Sequence, residues 1–355
     1  MDRRQHLMGR SVFSLVLVLA LVVAACGGTG AEDSTTTSPA SEETTTTTAA
    51  PDTTTTTEAM SRIFDTGYGE PVEIPEIPQA TYVWGVHGME SLAVIGVEPV
   101  AYSNRFEAVP PWFGIDWPNA VALGQPPAVE NLVALQPDLL ISDEGNDIVT
   151  IEELAPILTL RANSYQDTID QLRIIGQVYG NEEAAEAFIA DFEAKLAETQ
   201  AQIDTGGEAP RIMIVYPGVE PGVLGMWLDS SFIGSLLEAL GADMALKLDE
   251  LAGDDLAGDN ANRATSFGLV QLGLEKIIDV DPDALFVLGS PPEDLIAELE
   301  GIAAWDTITA VQNGEVYGFD RDLWSRSRGP IAMGLILEEA RYALYPDVFD
   351  PPSTP

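Results

Sequence analysis

The sequence predicts an α/β protein with two doubly wound lobes, one long helix joining them and a ligand cleft between them. Three observations support this prediction. Short apolar segments without polar alternation recur between helical segments, as is typical of parallel strands buried on both faces. One spaced pattern of residues occurs twice along the chain, and a long amphipathic helix lies between its two occurrences.

Residues 1–25 predict a secretion signal. Arg3, Arg4 and Arg10 precede an apolar segment that is too short to span a bilayer as a mature helix. Cys26 then follows Val-Ala-Ala, which resembles a bacterial lipobox and implies lipidation of Cys26 and attachment to the cell membrane. The paired arginines leave open export by the twin-arginine route.

Composition narrows the classes of partner. Cys26 is the one cysteine of the chain, which excludes a disulfide framework and cysteine metal sites. Removing the signal takes away three of the 16 basic residues and one of the 57 acidic residues, so the formal charge becomes −43. Such an excess argues against nucleic acid and against docking on an anionic bilayer, since phosphates would be repelled. We expect a monomeric protein.

Threonine dominates residues 26–62, which have almost no large apolar side chains. This composition predicts a disordered tether between the lipid anchor and the folded part. We expect an N-terminal lobe at 63–180, an interlobe helix at 181–205, a C-terminal lobe at 206–348 and a disordered tail at 349–355. The predicted strands lie at 81–85, 98–103, 138–142, 156–160, 211–217, 283–289 and 315–319.

The connecting segment is predicted to contain two helices. The first, over 167–180, ends at Gly180, and Asn181 can cap a second helix that runs to about Ile203. Twenty-two residues at 1.5 Å each give roughly 33 Å, which is enough to bridge two lobes.

The duplication sets the architecture. Gly96 and Pro137 lie 41 residues apart, and so do Gly241 and Pro282, which gives a constant offset of 145. In each half a helix, a glycine stop and a strand are followed by a second helix, a Pro-Asp turn and a strand. The same offset relates Glu130 to Glu275.

Five blocks carry a resemblance to a known family. In chain order they read GMESLAVIGVEPVAYSN, VENLVALQPDLLIS, LEKIIDVDPDALFVLG, WDTITAVQNGEVYGFD and LWSRSRGPIAMGLILEEARYAL. The chain resembles the ABC-importer binding proteins for iron-siderophores and cobalamin, in which a rigid helix joins the lobes. The resemblance implies a ferric siderophore as ligand, iron only as part of it, no cofactor and no catalysis. It also implies that Glu130 and Glu275 dock on a membrane permease; the alternative is that each is a solvated residue at a helix start.

Ligands of open α/β sheets lie beyond the carboxyl ends of the strands. Aromatic residues are frequent in the loops predicted there, which indicates a cleft with aromatic walls. The alternative is that such a ring closes the edge of a lobe, and Trp117, followed by proline, fits that role. The aromatic and histidine candidates are His87, Trp112, Phe113, Trp227 and Trp324. His87 can instead pack in a loop or cap a helix.

The segment FDRDLWSRSRGP, residues 319–330, concentrates three arginines in an acidic chain. Pro330 suits the first turn of a helix, whose start is electropositive, so arginines there require an anion. With Arg105 from the other lobe, Arg326 and Arg328 predict a pocket for an anionic ligand, because guanidinium groups bind carboxylate or catecholate oxygens as a fork. The alternative is that nearby aspartates already neutralise the arginines.

Other functions remain as alternatives. The same fold could bind cobalamin, although the arginines disfavour it, or haem, which requires an axial ligand such as His87. An extracytoplasmic hydrolase is the remote alternative, since the sequence contains no Ser/His/Asp arrangement and no glycine-rich phosphate loop. His87 is the one histidine after the signal, which disfavours a free-metal importer.

Overall fold

A computed structural model of the chain describes residues 60–67, 70–106, 108–143, 151, 153–203, 210–302 and 304–352. All of them belong to one compact unit, Thr57–Pro355. The predicted signal, the lipidation site at Cys26 and most of the threonine-rich segment lie outside the described residues. No helix among the described residues is long and apolar enough to cross a membrane.

A short hairpin precedes the first lobe. Its strands, β1 (Ser61–Phe64) and β2 (Val72–Pro75), pair antiparallel. Arg62 donates hydrogen bonds to the carbonyls of Gln177 and Val178 at the end of a later helix, each at 2.9 Å. These bonds attach the hairpin to the end of that helix.

The N-terminal lobe contains a five-stranded parallel sheet in the order β5-β4-β3-β6-β7. The predicted strands of this lobe are present, and β5 is an additional one. The elements are β3 (Thr81–Trp84), α1 (Val86–Val94), β4 (Ala101–Ser103), β5 (Val121–Leu123), α2 (Val129–Leu135), β6 (Leu139–Ser142) and β7 (Ile157–Thr159).

Two helices follow, α3 (Tyr165–Tyr179) and α4 (Glu182–Gln202). Gly180, with φ 66°, ends α3 in the left-handed conformation that glycine adopts at little cost. Asn181 occupies the position before α4, but its side chain does not cap the helix and instead donates to the carbonyl of Ile95 at 3.0 Å. The predicted capping bond is therefore wrong, whereas the helix itself is present.

The C-terminal lobe contains a six-stranded mixed sheet in the order β11-β9-β8-β12-β13, with β10 paired to β8. Strand β9 runs antiparallel to both of its neighbours, whereas β8, β12 and β13 are parallel. The first elements are β8 (Arg211–Pro217), β9 (Val223–Trp227), α5 (Phe232–Ala239), β10 (Asp243–Met244), α6 (Asn260–Phe267), β11 (Leu269–Gly273) and α7 (Glu275–Val280). The last are β12 (Ala284–Gly289), α8 (Pro292–Glu300), α9 (Thr309–Asn313), β13 (Val316–Asp320), α10 (Arg321–Arg326) and α11 (Pro330–Leu344).

Central strands bury side chains on both faces, as predicted for doubly wound lobes. Along β8, Ile212 and Ile214 join one apolar cluster, whereas Met213 and Val215 join another. The first of these clusters also contains residues of both sheets and of helices α1, α3, α4, α5 and α11. A continuous core thus joins the lobes at the base of the cleft.

The structure reproduces the equivalence of the halves. Helices α2 and α7 are followed by Gln136 and Asp281, which lie 145 residues apart and cap them in the same left-handed conformation, with φ 47° and 48°. Asp138 accepts the backbone N–H of Ala80 at 2.9 Å, and its equivalent Asp283 accepts that of Arg211 at 3.0 Å. Each carboxylate therefore fixes the start of the central strand of its own sheet.

Candidate functional site

A cavity of about 180 Å³ lies between the lobes, at the carboxyl ends of the central strands. Such a position is expected for a ligand of open α/β sheets. We call its two sides the N-terminal wall and the C-terminal wall. The N-terminal wall consists of Trp84, Gly85, Val86, Asn104, Arg105, Gln125 and Asp143. The C-terminal wall consists of Tyr216, Trp227, Leu269, Arg321, Ser325, Arg326 and Arg328.

Four arginines line this cavity, one from the N-terminal wall and three from the C-terminal wall. Burial lowers the pKa of Arg321, and the charges of Arg326 and Arg105 lower it further. The arginines of the two walls are thus close enough to repel one another. An anion between them would offset this repulsion, and its effect is large because the site is partly shielded from water.

Aromatic rings hold two of the arginines of the C-terminal wall. The guanidinium of Arg321 lies over the ring of Tyr216, 4.5 Å from its centre. The guanidinium of Arg328 lies 5.8 Å from the ring centre of Trp227 and 5.9 Å from that of Phe267. Such contacts orient a cation without neutralising it.

Tyr216 reaches the cavity because the neighbouring strand has a glycine beside it. A Cβ at Gly225 would come within 1.9 Å of the Tyr216 ring, so any other residue there would displace the ring. Burial raises the pKa of Tyr216, which therefore stays neutral under Arg321.

Aspartates around the cavity have other partners. Asp322 forms an ion pair with Arg326 one helical turn away. Asp320 caps α10 by accepting the backbone N–H of Asp322 at 2.8 Å. Asp143 accepts the backbone N–H groups of His87 and Gly88 at 3.0 and 2.9 Å, at the start of α1. Of these aspartates, Asp322 thus neutralises one arginine of the cavity, Arg326.

Four of the predicted ligand contacts, Arg105, Trp227, Arg326 and Arg328, line the cavity. The other four do not. Phe113 is buried in the core, and Trp112 is half-buried with its ring against Phe106 at 5.5 Å. The structure does not place these two rings at the cavity, because residues 111–113 form a helical turn that packs against α11.

Trp324 also requires correction. The stretch predicted as a loop forms α10, which turns the indole into the core, where it is fully buried. The ring stacks on Phe319 with centres 4.1 Å apart, and its N–H donates to Glu339 at 2.5 Å.

His87 is buried on α1 and does not reach the cavity, so its prediction as a ligand contact is wrong and its packing alternative holds. Burial lowers its pKa to about 3, and the charge of Arg328 acts in the same direction. The imidazole is therefore neutral at physiological pH.

Glu130 and Glu275 are exposed in the first turns of α2 and α7. The described residues contain no cluster of three or more histidine, cysteine, aspartate or glutamate side chains able to hold a metal ion.

Comparison with known proteins identifies the family of this chain. The family of periplasmic binding proteins matches residues 89–323. The chain belongs to that family. This membership confirms the resemblance found in the sequence and, with it, a binding protein rather than an enzyme.

This periplasmic binding protein has curated relatives in Bacillus subtilis strain 168. It is 26% identical to the putative ABC transporter substrate-binding lipoprotein YhfQ, over 75% of this chain and 83% of the relative. It is 25% identical to the Fe(3+)-citrate-binding protein YfmC, over 71% and 76% of the two chains.

A solved structure supports the fold. The triscatecholate siderophore binding protein FeuA from Bacillus subtilis, crystallised with ferri-bacillibactin, superposes with a TM-score of 0.64 at 18% identity. The match covers 81% of this chain and 98% of FeuA. The α/β fold predicted from the sequence is therefore confirmed.

Proposed function

We propose that this protein captures a ferric siderophore in the cavity between its lobes and delivers it to the membrane permease of an ABC importer. The observation that carries the proposal is the convergence of four arginines on one cavity in a chain with a formal charge of −41. Four guanidinium groups on one cavity favour an anionic ligand, because a nearby negative charge stabilises each of them.

The chemistry of the walls supports an anionic chelate. Guanidinium groups donate paired hydrogen bonds to carboxylate or catecholate oxygens, and rings such as Tyr216 and Trp227 pack on the organic part of a ligand. The ferric ion enters as cargo inside the chelate, and the protein needs no cofactor of its own. The relative YfmC is named for Fe(3+)-citrate, which makes carboxylate chelates the first ligands to test.

Delivery requires a partner in the membrane. Glu130 and Glu275 occupy equivalent, exposed positions on the two lobes, so together they form a two-point contact for basic residues of a permease. Lipidation of Cys26 holds the monomeric protein at the outer face of the cell membrane, where the threonine-rich segment connects it to the anchor. The relative YhfQ is named as a lipoprotein of this transporter class.

Binding is tested by native mass spectrometry of the purified protein with ferric citrate, a ferric catecholate, a cationic ferric hydroxamate, haem and cobalamin. We expect retention of an anionic ferric chelate. Retention of haem or cobalamin alone, or of none of the five compounds, would contradict the proposal.

Docking is tested separately by reversing both glutamates in Glu130→Arg/Glu275→Arg. Because neither side chain is near the cavity, we expect ligand affinity to stay within twofold of wild type while chelate uptake by cells falls at least tenfold. The doubly substituted Glu183→Arg/Glu293→Arg protein, with the same change of charge elsewhere on the surface, is the matched control. Normal uptake by the docking variant would refute the docking role.

A further inference from the structure

Glu90 is a fully buried carboxyl on α1, in the N-terminal half, with 0% of its surface exposed. Its Oε2 accepts the backbone N–H of Ala332 at 2.7 Å, and that residue lies 242 positions later in the chain. The hydroxyl of Ser327, in the same segment, donates to the carbonyl of Asp322 at 3.3 Å. One side chain of the N-terminal half thus satisfies the start of α11 in the C-terminal half.

Close packing fixes this contact. The start of α11 follows Gly329, and a Cβ at that position would lie 2.6 Å from both Cδ and Oε2 of Glu90. Gly329 has φ −95°, an ordinary backbone conformation, so the glycine is required for space. The carboxyl of Glu90 fills that space.

The preceding residue is held from a second helix of the N-terminal half. Arg328 adopts φ 59°, a left-handed conformation that is unfavourable for residues other than glycine, and its side chain lines the cavity. Its carbonyl accepts a hydrogen bond from the hydroxyl of Thr168 on α3 at 3.1 Å. Helices α1 and α3 therefore hold the chain on both sides of Gly329.

We propose that Glu90 is a positioning residue that, with Thr168, fixes the segment 326–332 so that Arg326 and Arg328 point into the cavity. This inference rests on the proposed function, because it concerns the arginines that would hold the anionic chelate. Glu90 is fully buried and lies outside the cavity walls, so it acts on the ligand through the backbone of this segment.

Two titratable groups lie close to Glu90. Asp143, beyond β6, acts on its charge, and the neutral His87 lies one turn earlier on α1, where it feels the charge of Arg328. Burial raises the pKa of Glu90 to about 8, although the hydrogen bonds from the start of α11 oppose the shift. The carboxyl is therefore protonated at neutral pH, and above pH 8 it adds a negative charge behind the arginine segment.

Three substitutions test the inference, with affinity for ferric citrate measured by intrinsic fluorescence at pH 6.5 and 9.0. Glu90→Gln keeps an acceptor for the N–H of Ala332 but cannot ionise. Glu90→Leu removes the acceptor, and Thr168→Val removes the bond to the carbonyl of Arg328 without touching Glu90. Glu183→Gln, on the exposed start of α4, is the matched control.

At pH 6.5 we expect the glutamine variant and the control to bind within twofold of wild type. The leucine and valine variants should bind at least fivefold more weakly. At pH 9.0 the affinity of wild type for ferric citrate should fall at least threefold relative to that of the glutamine variant. Titration of the ligand affects both proteins equally, so it cancels in this ratio.

Wild-type affinity at pH 6.5 in a folded leucine variant or, if that variant fails to fold, in Thr168→Val would overturn the positioning role of Glu90. A ratio of wild-type to glutamine-variant affinity that stays constant between the two pH values would contradict the ionisation of its carboxyl in this range. Failure of wild type to bind ferric citrate or any other anionic chelate would overturn the proposed function instead, so the two failures are distinguishable.

Discussion

The two walls of the cavity differ in how their cations are held. In the C-terminal wall, Arg321 lies over Tyr216, Arg328 lies over Trp227 and Arg326 pairs with Asp322. In the N-terminal wall the single arginine, Arg105, is exposed on a turn after β4. The rings and the ion pair therefore preorganise the C-terminal wall for an anion, whereas the N-terminal wall contributes one arginine from an exposed turn.

This difference assigns the walls separate roles. Preorganised groups bind with a smaller entropic penalty, so the C-terminal wall should supply most of the affinity. The N-terminal wall completes the enclosure when the ligand is already held. Because a continuous core joins the lobes behind the cavity, closure should be modest.

Removing the charge of the C-terminal wall should have the largest effect. The triple substitution Arg321→Gln/Arg326→Gln/Arg328→Gln removes three charge-assisted contacts, each expected to contribute about 1.5 kcal/mol or more. We expect ferric chelate affinity, measured by isothermal titration calorimetry, to fall at least 100-fold. The variant Arg173→Gln/Lys195→Gln/Lys247→Gln removes the same charge outside the cavity and should bind like wild type. If the Arg321/Arg326/Arg328 variant binds within threefold of wild type, the C-terminal wall does not supply most of the affinity.

Removing the charge of the N-terminal wall should have a smaller effect. We expect Arg105→Gln to weaken binding about tenfold, because one exposed contact is lost and the preorganised wall remains, which corresponds to about 1.4 kcal/mol. The same calorimetric titration measures it. A loss as large as that of the triple variant would reverse the order of the two walls.

Two tryptophans of the C-terminal lobe allow the cavity wall and the core to be tested separately, because Trp227 lines the cavity and Trp324 is buried in the core. Trp227→Leu removes the ring beside Arg328 and should weaken chelate binding about fivefold, or about 1 kcal/mol.

Trp324→Phe should leave chelate affinity within twofold of wild type but lower the free energy of unfolding by about 2 kcal/mol, because Glu339 loses its buried hydrogen bond. Calorimetric titration and urea denaturation measure the two quantities. A large loss of affinity in Trp324→Phe would show that the buried ring acts on the ligand.

The fold could be predicted from the sequence because its signals can be read from short segments and from their repetition along the chain. The 145-residue offset, the glycine stops and the apolar segments each depend on a few neighbouring residues, and the helix predicted from Pro330 is observed at Pro330–Leu344. The rule that ligands lie at strand ends placed Arg105 and Trp227 in the right region, although Trp227 belongs to a strand rather than a loop.

What the sequence did not predict depends on tertiary contacts. Trp84 and Tyr216 lie near the ends of apolar strands and look like core residues, and only their position at the ends of β3 and β8 brings them to the cavity. Strand β9 was missed because Gly225 interrupts it, and the reason for that glycine is the ring of Tyr216. Helix α10, which Asp320 caps, turns Trp324 into the core, and a helix of six residues is too short to give a clear periodic signal in the sequence.

The central claim is that the C-terminal wall selects an anionic ferric chelate by charge. The most direct test compares the affinities of wild type and of the Arg321/Arg326/Arg328 triple variant for ferric citrate and for a cationic ferric hydroxamate at one ionic strength. We expect wild type to prefer the anionic chelate at least 100-fold and the triple variant to lose most of this preference. Equal affinity of wild type for the two chelates, or an unchanged preference in the triple variant, would contradict it.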